Sequence, residues 1–502
     1  MTFNKVLIAN RGEIAVRLVR AIREASMTSV AVYSDADRTA LHVRLADEAA
    51  HIGPAASSSS YLNIERILDA ARRHGAQAIH PGYGFLSENA DFAEACTNAG
   101  FIFIGPSAEA IRKLGSKTSA RVLAKAVNTP VVPGTEEPAT HLEHARAIAR
   151  ELGYPVLLKA AAGGGGKGMR RVDGENDLES AIRDASSEAE RSFHNGEVYI
   201  EKLVENPRHI EIQIFGDQHG NLVHLGEREC SLQRRHQKVL EECPSPLVAA
   251  YPELRSAMGE AAVRVARAAG YYNAGTAEFL VDADRNFYFL EMNTRLQVEH
   301  PVSELVTGLD LVQLQLRVAS GEKLPFSQQD VEWRGWALEC RVYAEDPDRQ
   351  FFPSPGRIAQ LREPGGPGIR LDSGVYPGWT VPIDYDPLLA KLIAFSPNRE
   401  TTIRRMLVAL NEYAITGIET NLGFFKEILN DPEFRTANLD TGFLERFMHR
   451  RKSKPAPEPE LEIVAAIAAE AYTSVRQTNG IAPAPGTAPV SRWAAQGRER
   501  LR

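Results

Sequence analysis

TAEFLVDADRNFYFLEMNTRLQVEH, residues 276 to 300, joins two β-rich runs through the turn-forming group DADRN and then continues with a polar residue at every second position. An antiparallel hairpin with that turn places Glu278 opposite, or within one residue of, Glu291, with Asn293 two residues on and on the same face. Like charges so placed repel by up to about 1 kcal/mol. A cation relieves the conflict. Two carboxylates and an amide oxygen are hard ligands of the kind Mg²⁺ takes, its octahedron completed by water and nucleotide phosphate. A hairpin with solvated acids satisfies the same three residues taken alone. The alternation runs on through Arg295, Gln297 and Glu299, so the expectation is one extended segment presenting two carboxylates, two amides and a guanidinium on a single face.

The chain has 502 residues, 43% hydrophobic and 25% charged, the make-up of a globular protein of several domains. Its formal net charge of −7 is small for this length, and Lys and Arg are dispersed apart from short runs such as Arg450 to Lys454. That leaves no electrostatic footprint for a nucleic-acid partner. The four cysteines (Cys96, Cys230, Cys243, Cys340) lack CxxC spacing, so neither a zinc knuckle nor a disulfide framework is expected, and a reducing cytoplasm is the simplest location. The opening MTFNKVLIAN carries no signal-type apolar region, and no run of eighteen apolar residues occurs, so no membrane partner is expected.

In the first third, VLIAN, SVAVYS, QAIHPG and FIFIGPS alternate with helical patterns such as GEIAVRLVRAIREA, the signature of βαβ units around a parallel sheet. The first turn, ANRGEIA, lacks GxGxxG spacing, which argues against a dinucleotide cofactor and a dehydrogenase. From Leu114 the texture becomes mixed α/β, with a glycine run between two β-rich pieces. Beyond about Gln328, β segments with many turns precede two helical patterns ending near Met448. The expected organisation is therefore α/β for residues 1–113, mixed α/β for 114–327 with a lid over about 131–203, α+β for 328–448, and a Pro/Ala-rich tail over 449–502. Within that tail, Leu461 to Ala471 reads as one short helix suited to docking on a partner.

Three further stretches carry chemistry. GGGGKG (163 to 168) lacks a Walker ending and lies between β segments, so it reads as a glycine hairpin whose bare amides close over phosphates. A disordered loop has the same composition. Lys159 upstream of it, and Lys117 in GSKTSA, are candidates to neutralise phosphate. Glu201 and Lys202 open an apolar stretch that suits the edge of an adenine pocket. Arg234, Arg235, His236 and Lys238 crowd positive charge into five residues, an arrangement that calls for an anion if it lies in a cleft.

Read together, ANRGEIA, IHPGYGFLSEN, FIGPS, KAAAGGGGKGM, RECSLQRRHQK, EMNTRLQVEHPVSE and ALECRVYAEDP closely resemble biotin carboxylases, members of the ATP-grasp superfamily, over roughly residues 1 to 448. The resemblance implies a Rossmann-like first domain, an ATP-grasp domain with a mobile Gly-rich lid and a C-terminal α+β biotin carboxylase domain. It implies ATP contacts at Lys117, Lys159, Gly165, Gly166, Met169, Glu201, Lys202, Leu203, His209, Gln233 and His236, and Mg²⁺ or Mn²⁺ on Glu278, Glu291 and Asn293. Bicarbonate falls to Lys238, Arg295, Gln297, Val298 and Glu299, and biotin to Tyr83 and Arg341. Arg295, Glu299, Lys238 and Arg341 then carry catalysis, with Glu299 the base that takes the bicarbonate proton and Arg341 the charge that stabilises the biotin enolate. Cys230 is expected to pack and not to react.

No Met-Lys-Met biotinylation sequence occurs, so biotin is expected on a separate carrier protein, with separate carboxyltransferase subunits, as in an acetyl-CoA or propionyl-CoA carboxylase. Service to a pyruvate carboxylase is the alternative acceptor. A different ATP-grasp ligase would keep the metal hairpin but lack RLQVEHP, and a scaffold that only binds nucleotide would not need every catalytic position filled. The resemblance further implies a homodimer, with Arg20, Glu24 and Asp386 at interface positions and Pro367 departing from the aromatic residue often found there.

Overall fold

The computed structural model describes residues 2–135, 142–160, 169–193, 197–451 and 467. The runs KVLI, TSVAVYS and AIH are almost wholly buried, which a strand achieves only inside a sheet covered by helices. They form β1 (Lys5–Ile8), β2 (Thr28–Ser34) and β4 (Ala78–His80), and with β3 (Glu48–Gly53) and β5 (Ile102–Phe103) they make a parallel sheet in the order β3-β2-β1-β4-β5. Helix Gly12–Glu24 follows β1 and packs its apolar stripe, Ile14, Leu18 and Ile22, into a core shared with Leu311, Val312 and Leu316. That shared core ties the first domain to helix Leu311–Ala319, and Arg17 reinforces it by pairing with Asp310 at 2.7 Å and Glu304 at 3.2 Å.

Next come three antiparallel strands, β6 (Val156–Ala160), β7 (Met169–Val172) and β8 (Val198–Lys202), in the order β7-β6-β8. The hairpin expected around the glycine run is present as β6 and β7, with Lys159 opposite Met169. Residues 161–168, and so Gly165 and Gly166, lie outside the described residues.

The main sheet has eight strands: β9 (Arg208–Gly216), β10 (Leu222–Arg234), β11 (Gln237–Cys243), β12 (Asn273–Val281), β13 (Phe287–Asn293), β14 (Trp336–Tyr343) and the strands Ile369–Ser373 and Leu388–Ser396. Their order is β13-β12-β9-β10-β11-β14, then Leu388–Ser396 and Ile369–Ser373. The division expected near Gln328 falls in a connection, and the sheet runs past it because β14 pairs with β11. Below the last strands, Met406, Leu410, Phe425 and Ile428 of helices Arg399–Glu412 and Leu422–Asn430 complete a second core. Met1–Arg450 is one compact unit and Arg451–Arg502 another. Of the expected tail helix Leu461–Ala471, only Ile467 is among the described residues.

Candidate active site

Hairpin β12–β13 has the register its sequence predicts: Glu278 faces Glu291 and Thr276 faces Asn293. The row continues across the sheet, since Glu278 also faces Glu211 of β9 and Glu211 faces Arg228 of β10. Three carboxylates in line need cations. Arg228, wholly buried, donates to Glu211, Gln213, Ser303 and Thr276. Lys238 reaches over from β11 to Glu278 Oε1 at 2.7 Å and Glu299 Oε1 at 2.8 Å, and it also binds Glu211. At the outer end Glu291 takes Lys117 at 2.8 Å, while Asn293 Nδ2 donates to Glu278 Oε1 at 2.9 Å. His209 Nε2 lies 3.2 Å from Glu278 Oε2.

The extended segment expected from Glu291 to Glu299 ends sooner. Strand β13 stops at Asn293, residues 294 to 299 form an irregular turn, and Glu299 is the N-cap of helix His300–Thr307. The polar side chains converge nonetheless, because Arg295 folds back on the turn. Its Nη1 donates to Gln297 Oε1 at 2.5 Å and its Nη2 to Asn293 Oδ1 at 3.2 Å. Glu88 fixes this turn from the first domain, accepting from Thr294 N and from Arg295 Nε at 2.9 Å each.

Glu299 is the point where the two halves of the site meet. Its Oε1 accepts from Lys238 at 2.8 Å and its Oε2 from Arg341 Nη2 at 2.9 Å. Burial pushes the Glu299 carboxyl up, but the charges of Lys238, Arg341 and Arg228 outweigh it and hold the group well below the usual carboxylate range. Burial likewise opposes the charge on Lys238, and Glu211, Glu278 and Glu299 overcome it and hold the ammonium well above its usual value. Arg341 Nε is anchored on Glu241 Oε1 at 2.6 Å. Burial raises Glu241 to about 7 in spite of that arginine.

Arg341 and Tyr83 line one cavity of about 460 Å³, together with Arg295, Val298, Gln237 and Glu13. The pair expected to meet biotin therefore shares a wall with Arg295 and Val298, two of the residues expected to hold bicarbonate. Asp386, expected at a dimer interface, lines this same cavity. On the nucleotide side, Glu201 at the end of β8 binds Lys159 and Arg121 through its carboxylate, and Lys202 Nζ donates to Gly153 O at 2.8 Å. Leu203 follows directly, its N–H on Pro155 O, and Gln233 Nε2 donates to Cys230 O.

The basic quartet does not form a single anion site. Arg235 and His236 are the two turn residues between β10 and β11, both with positive φ (50° and 67°), the geometry of a type I′ hairpin normally taken by Asn-Gly. Strand alternation on either side then separates the flanking charges. Lys238 points at the carboxylates, whereas Arg234 lies 4.2 Å from the Phe351 ring and donates to Gln350 O. Cys230 is buried, as are the other three cysteines, and burial lifts its thiol well above the usual value, so it stays a packed thiol.

Glu88, Arg121, Glu211, Glu241 and Arg228 belong to the site and were not singled out by sequence. Glu88 and Arg228 stand inside the strings IHPGYGFLSEN and RECSLQRRHQK; Glu211 and Glu241 look like ordinary polar positions of a strand. His209, Glu211 and Glu278 also bring ligand atoms within 4.8 Å of one another. Lys238 and Arg228 already neutralise that group. The outer carboxylate Glu291, with Glu278 and the Asn293 amide, remains the donor set that fits a hard divalent ion.

Three family models cover the chain in order: "Biotin carboxylase, N-terminal domain" at residues 2–111, "Carbamoyl-phosphate synthase L chain, ATP binding domain" at 116–327, and "Biotin carboxylase C-terminal domain" at 339–446. Biotin carboxylase 1 of Bacillus subtilis is 52% identical over 444 residues, which are 88% of this chain and 98% of that protein. The chain belongs to the biotin carboxylase family. The solved dimer of the biotin carboxylase domain of Hydrogenobacter thermophilus 2-oxoglutarate carboxylase, in complex with MgADP, ADP and bicarbonate, superposes with a TM-score of 0.83 at 46% identity, over 89% of this chain and 98% of that one. The propionyl-CoA carboxylase alpha chain of Ruegeria pomeroyi is 46% identical over 499 residues, 95% of this chain and 73% of that protein. Among the described residues, no helix is long and apolar enough to cross a membrane.

Proposed function

We propose that the chain carboxylates biotin, borne on a carrier protein, with bicarbonate at the expense of ATP. The observation that carries this reading is the double grip on Glu299, by Lys238 of β11, which also binds Glu278 of the metal hairpin, and by Arg341 from the Tyr83 cavity. One carboxylate thereby stands between the place for phosphate and the place for biotin.

The donor set Glu278, Glu291 and Asn293 fits Mg²⁺, with Mn²⁺ an alternative of the same hardness; when bound, the ion neutralises phosphate charge. In this reading Lys117 and Lys159 neutralise the phosphates as well, and Glu201 to Leu203 border the adenine. Bicarbonate lies against Lys238, Arg295, Gln297, Val298 and Glu299. An anion entering there draws Lys238 and Arg295 toward itself and away from the carboxylates. Glu299, relieved of part of that charge, becomes a stronger base and takes the bicarbonate proton as the oxygen attacks the γ-phosphoryl group. ADP leaves, and carboxyphosphate divides into CO₂ and phosphate. The phosphate accepts the N1′ proton of biotin while Arg341 holds the developing enolate oxygen, and the nitrogen adds to CO₂.

The carboxyl acceptor downstream is an acyl-CoA, reached through separate carrier and carboxyltransferase subunits. A homodimer is part of the same reading: Arg20 and Glu24 are exposed on helix Gly12–Glu24, free to meet a second copy. A monomeric mass in sedimentation at micromolar concentration would remove the dimer. The activity itself is tested by phosphate release: ATP cleavage should depend on bicarbonate and be stimulated by free biotin, and indifference to both rejects the assignment.

A further inference from the structure

Lys391 is wholly buried in strand Leu388–Ser396, and no reacting group is assigned to it above. It is the register partner of Arg341 on one side and of Asp372 on the other. Neighbouring cations on paired strands point to one face and should repel, so each needs a partner of its own. Arg341 has the Glu299 carboxylate, and Lys391 Nζ donates 2.9 Å to the carbonyl of Val298, the residue before it. Two adjacent cations therefore grip two successive residues of the turn that carries Arg295, Gln297 and Glu299.

The remaining contacts of Lys391 come from the first domain and from the last strands of the sheet. Its ammonium lies 3.4 Å from Glu13 Oε2, 3.8 Å from Asp372 Oδ2 and 5.6 Å from the centre of the Tyr83 ring. Glu13 starts helix Gly12–Glu24, and the approach is close: a Cβ at Gly374 would lie 2.7 Å from Glu13 N. Arg341 stands on one neighbouring strand and Asp372, paired with Arg370, on the other. One buried ammonium thus joins the first domain, the turn and the last strands beneath the cavity lined by Tyr83, Val298 and Arg341.

We propose that Lys391 is a positioning residue for the bicarbonate step, fixing the Val298 carbonyl, and with it the backbone of the Gln297 to Glu299 turn, against the Tyr83 wall of the cavity. The inference rests on the proposed function, because the turn matters to bicarbonate only under that reading. A hydrogen bond from a charged donor to a carbonyl is among the stronger neutral-acceptor bonds, and its loss takes the Lys391 donor away from the partly buried Val298 carbonyl. Such a loss loosens the turn without touching the nucleotide side, where Lys117, Lys159 and Glu201 lie.

The test uses the full chain and three variants, Lys391→Met, Lys391→Arg and the double variant Glu13→Gln with Lys391→Met, which removes the buried ammonium together with the carboxyl beside it. Phosphate release gives KM for bicarbonate and KM for ATP separately, and thermal melting reports folding. Expected for Lys391→Met is a rise of about tenfold or more in KM for bicarbonate, with KM for ATP little changed and partial recovery in Lys391→Arg. If Lys391→Met does not fold, the double variant is expected to fold and to show the same split. A folded variant whose bicarbonate KM is unchanged, or whose two KM values rise together, overturns the proposal. Failure of both Met variants to fold overturns it too, since the residue would then serve folding. A wild-type enzyme indifferent to bicarbonate would instead refute the underlying function, so the two failures are told apart by the first control.

Discussion

Glu278 and Glu291 face each other across hairpin β12–β13, yet they are neutralised by different cations, Glu278 by Lys238 and Glu291 by Lys117. The inner carboxylate is locked into the buried network, whereas the outer one holds a lysine whose side chain is 64% exposed. Only the outer pair can open at small cost, since an exposed ion pair contributes about 0–1 kcal/mol. Under the proposed function, a divalent ion held at Glu291 would leave Lys117 available to phosphate.

Replacing Glu291 by Gln should therefore leave the fold intact and raise the Mg²⁺ concentration needed for ATP cleavage. Outer-shell partners of metal ligands already cost about 10–100-fold in affinity, so a direct ligand should cost at least as much. Titrating Mg²⁺ against phosphate release checks this; an unchanged requirement would take Glu291 out of the metal site.

Glu299→Gln keeps the shape of the side chain but removes the base. The expected loss in bicarbonate-dependent rate is about two to four decades, the scale of a positioned general base, with nucleotide binding retained. Near-normal turnover would mean that another group deprotonates bicarbonate. Glu211 and Glu241, both buried close by, would be the next carboxylates to replace.

How far the site was legible depended on which physical signal each residue left. The Glu278–Glu291 register followed from a turn and two apolar runs, and the parallel sheet from short β runs between helical patterns. Strand β3, EAAHIG, has little β-branched character and is held by its pairing with β2, so no local signal marks it. The quartet at 234 to 238 misled because composition ignores direction: a two-residue turn sends Arg234 and Lys238 to different surroundings. Arg228, Glu211, Glu241 and Lys391 pair with residues far away in sequence, and a buried charge becomes intelligible only when its partner is in view.

Arg341→Ala should separate the half-reactions. Biotin-stimulated turnover is expected to collapse, while slow biotin-independent ATP cleavage persists because Lys238 still holds Glu299. Stability should fall as well, since the buried Glu241 carboxylate loses the guanidinium it pairs with, and breaking such a pair costs about 3–5 kcal/mol. Adding Glu241→Gln should recover part of the melting temperature and none of the biotin stimulation. Equal loss of both activities would move Arg341 into the bicarbonate step.

The last prediction concerns pH and Glu13. Burial raises this carboxyl from 4.5 to about 7, against the opposing pull of Lys391. Below about pH 4.5 it is protonated in both folded and unfolded chains. Between that value and about 7 only the unfolded chain ionises, so the folded state loses stability as pH rises, by about 3 kcal/mol at most. Glu13→Gln is neutral throughout and lacks this loss. Its stability relative to the wild type should therefore climb from about pH 5 to about pH 8, whatever constant offset the lost contact with Lys391 introduces. Thermal melts of both proteins across that interval give the comparison. A difference that stays flat, or that shrinks as pH rises, would show that Glu13 is ionised in the folded protein over the whole interval.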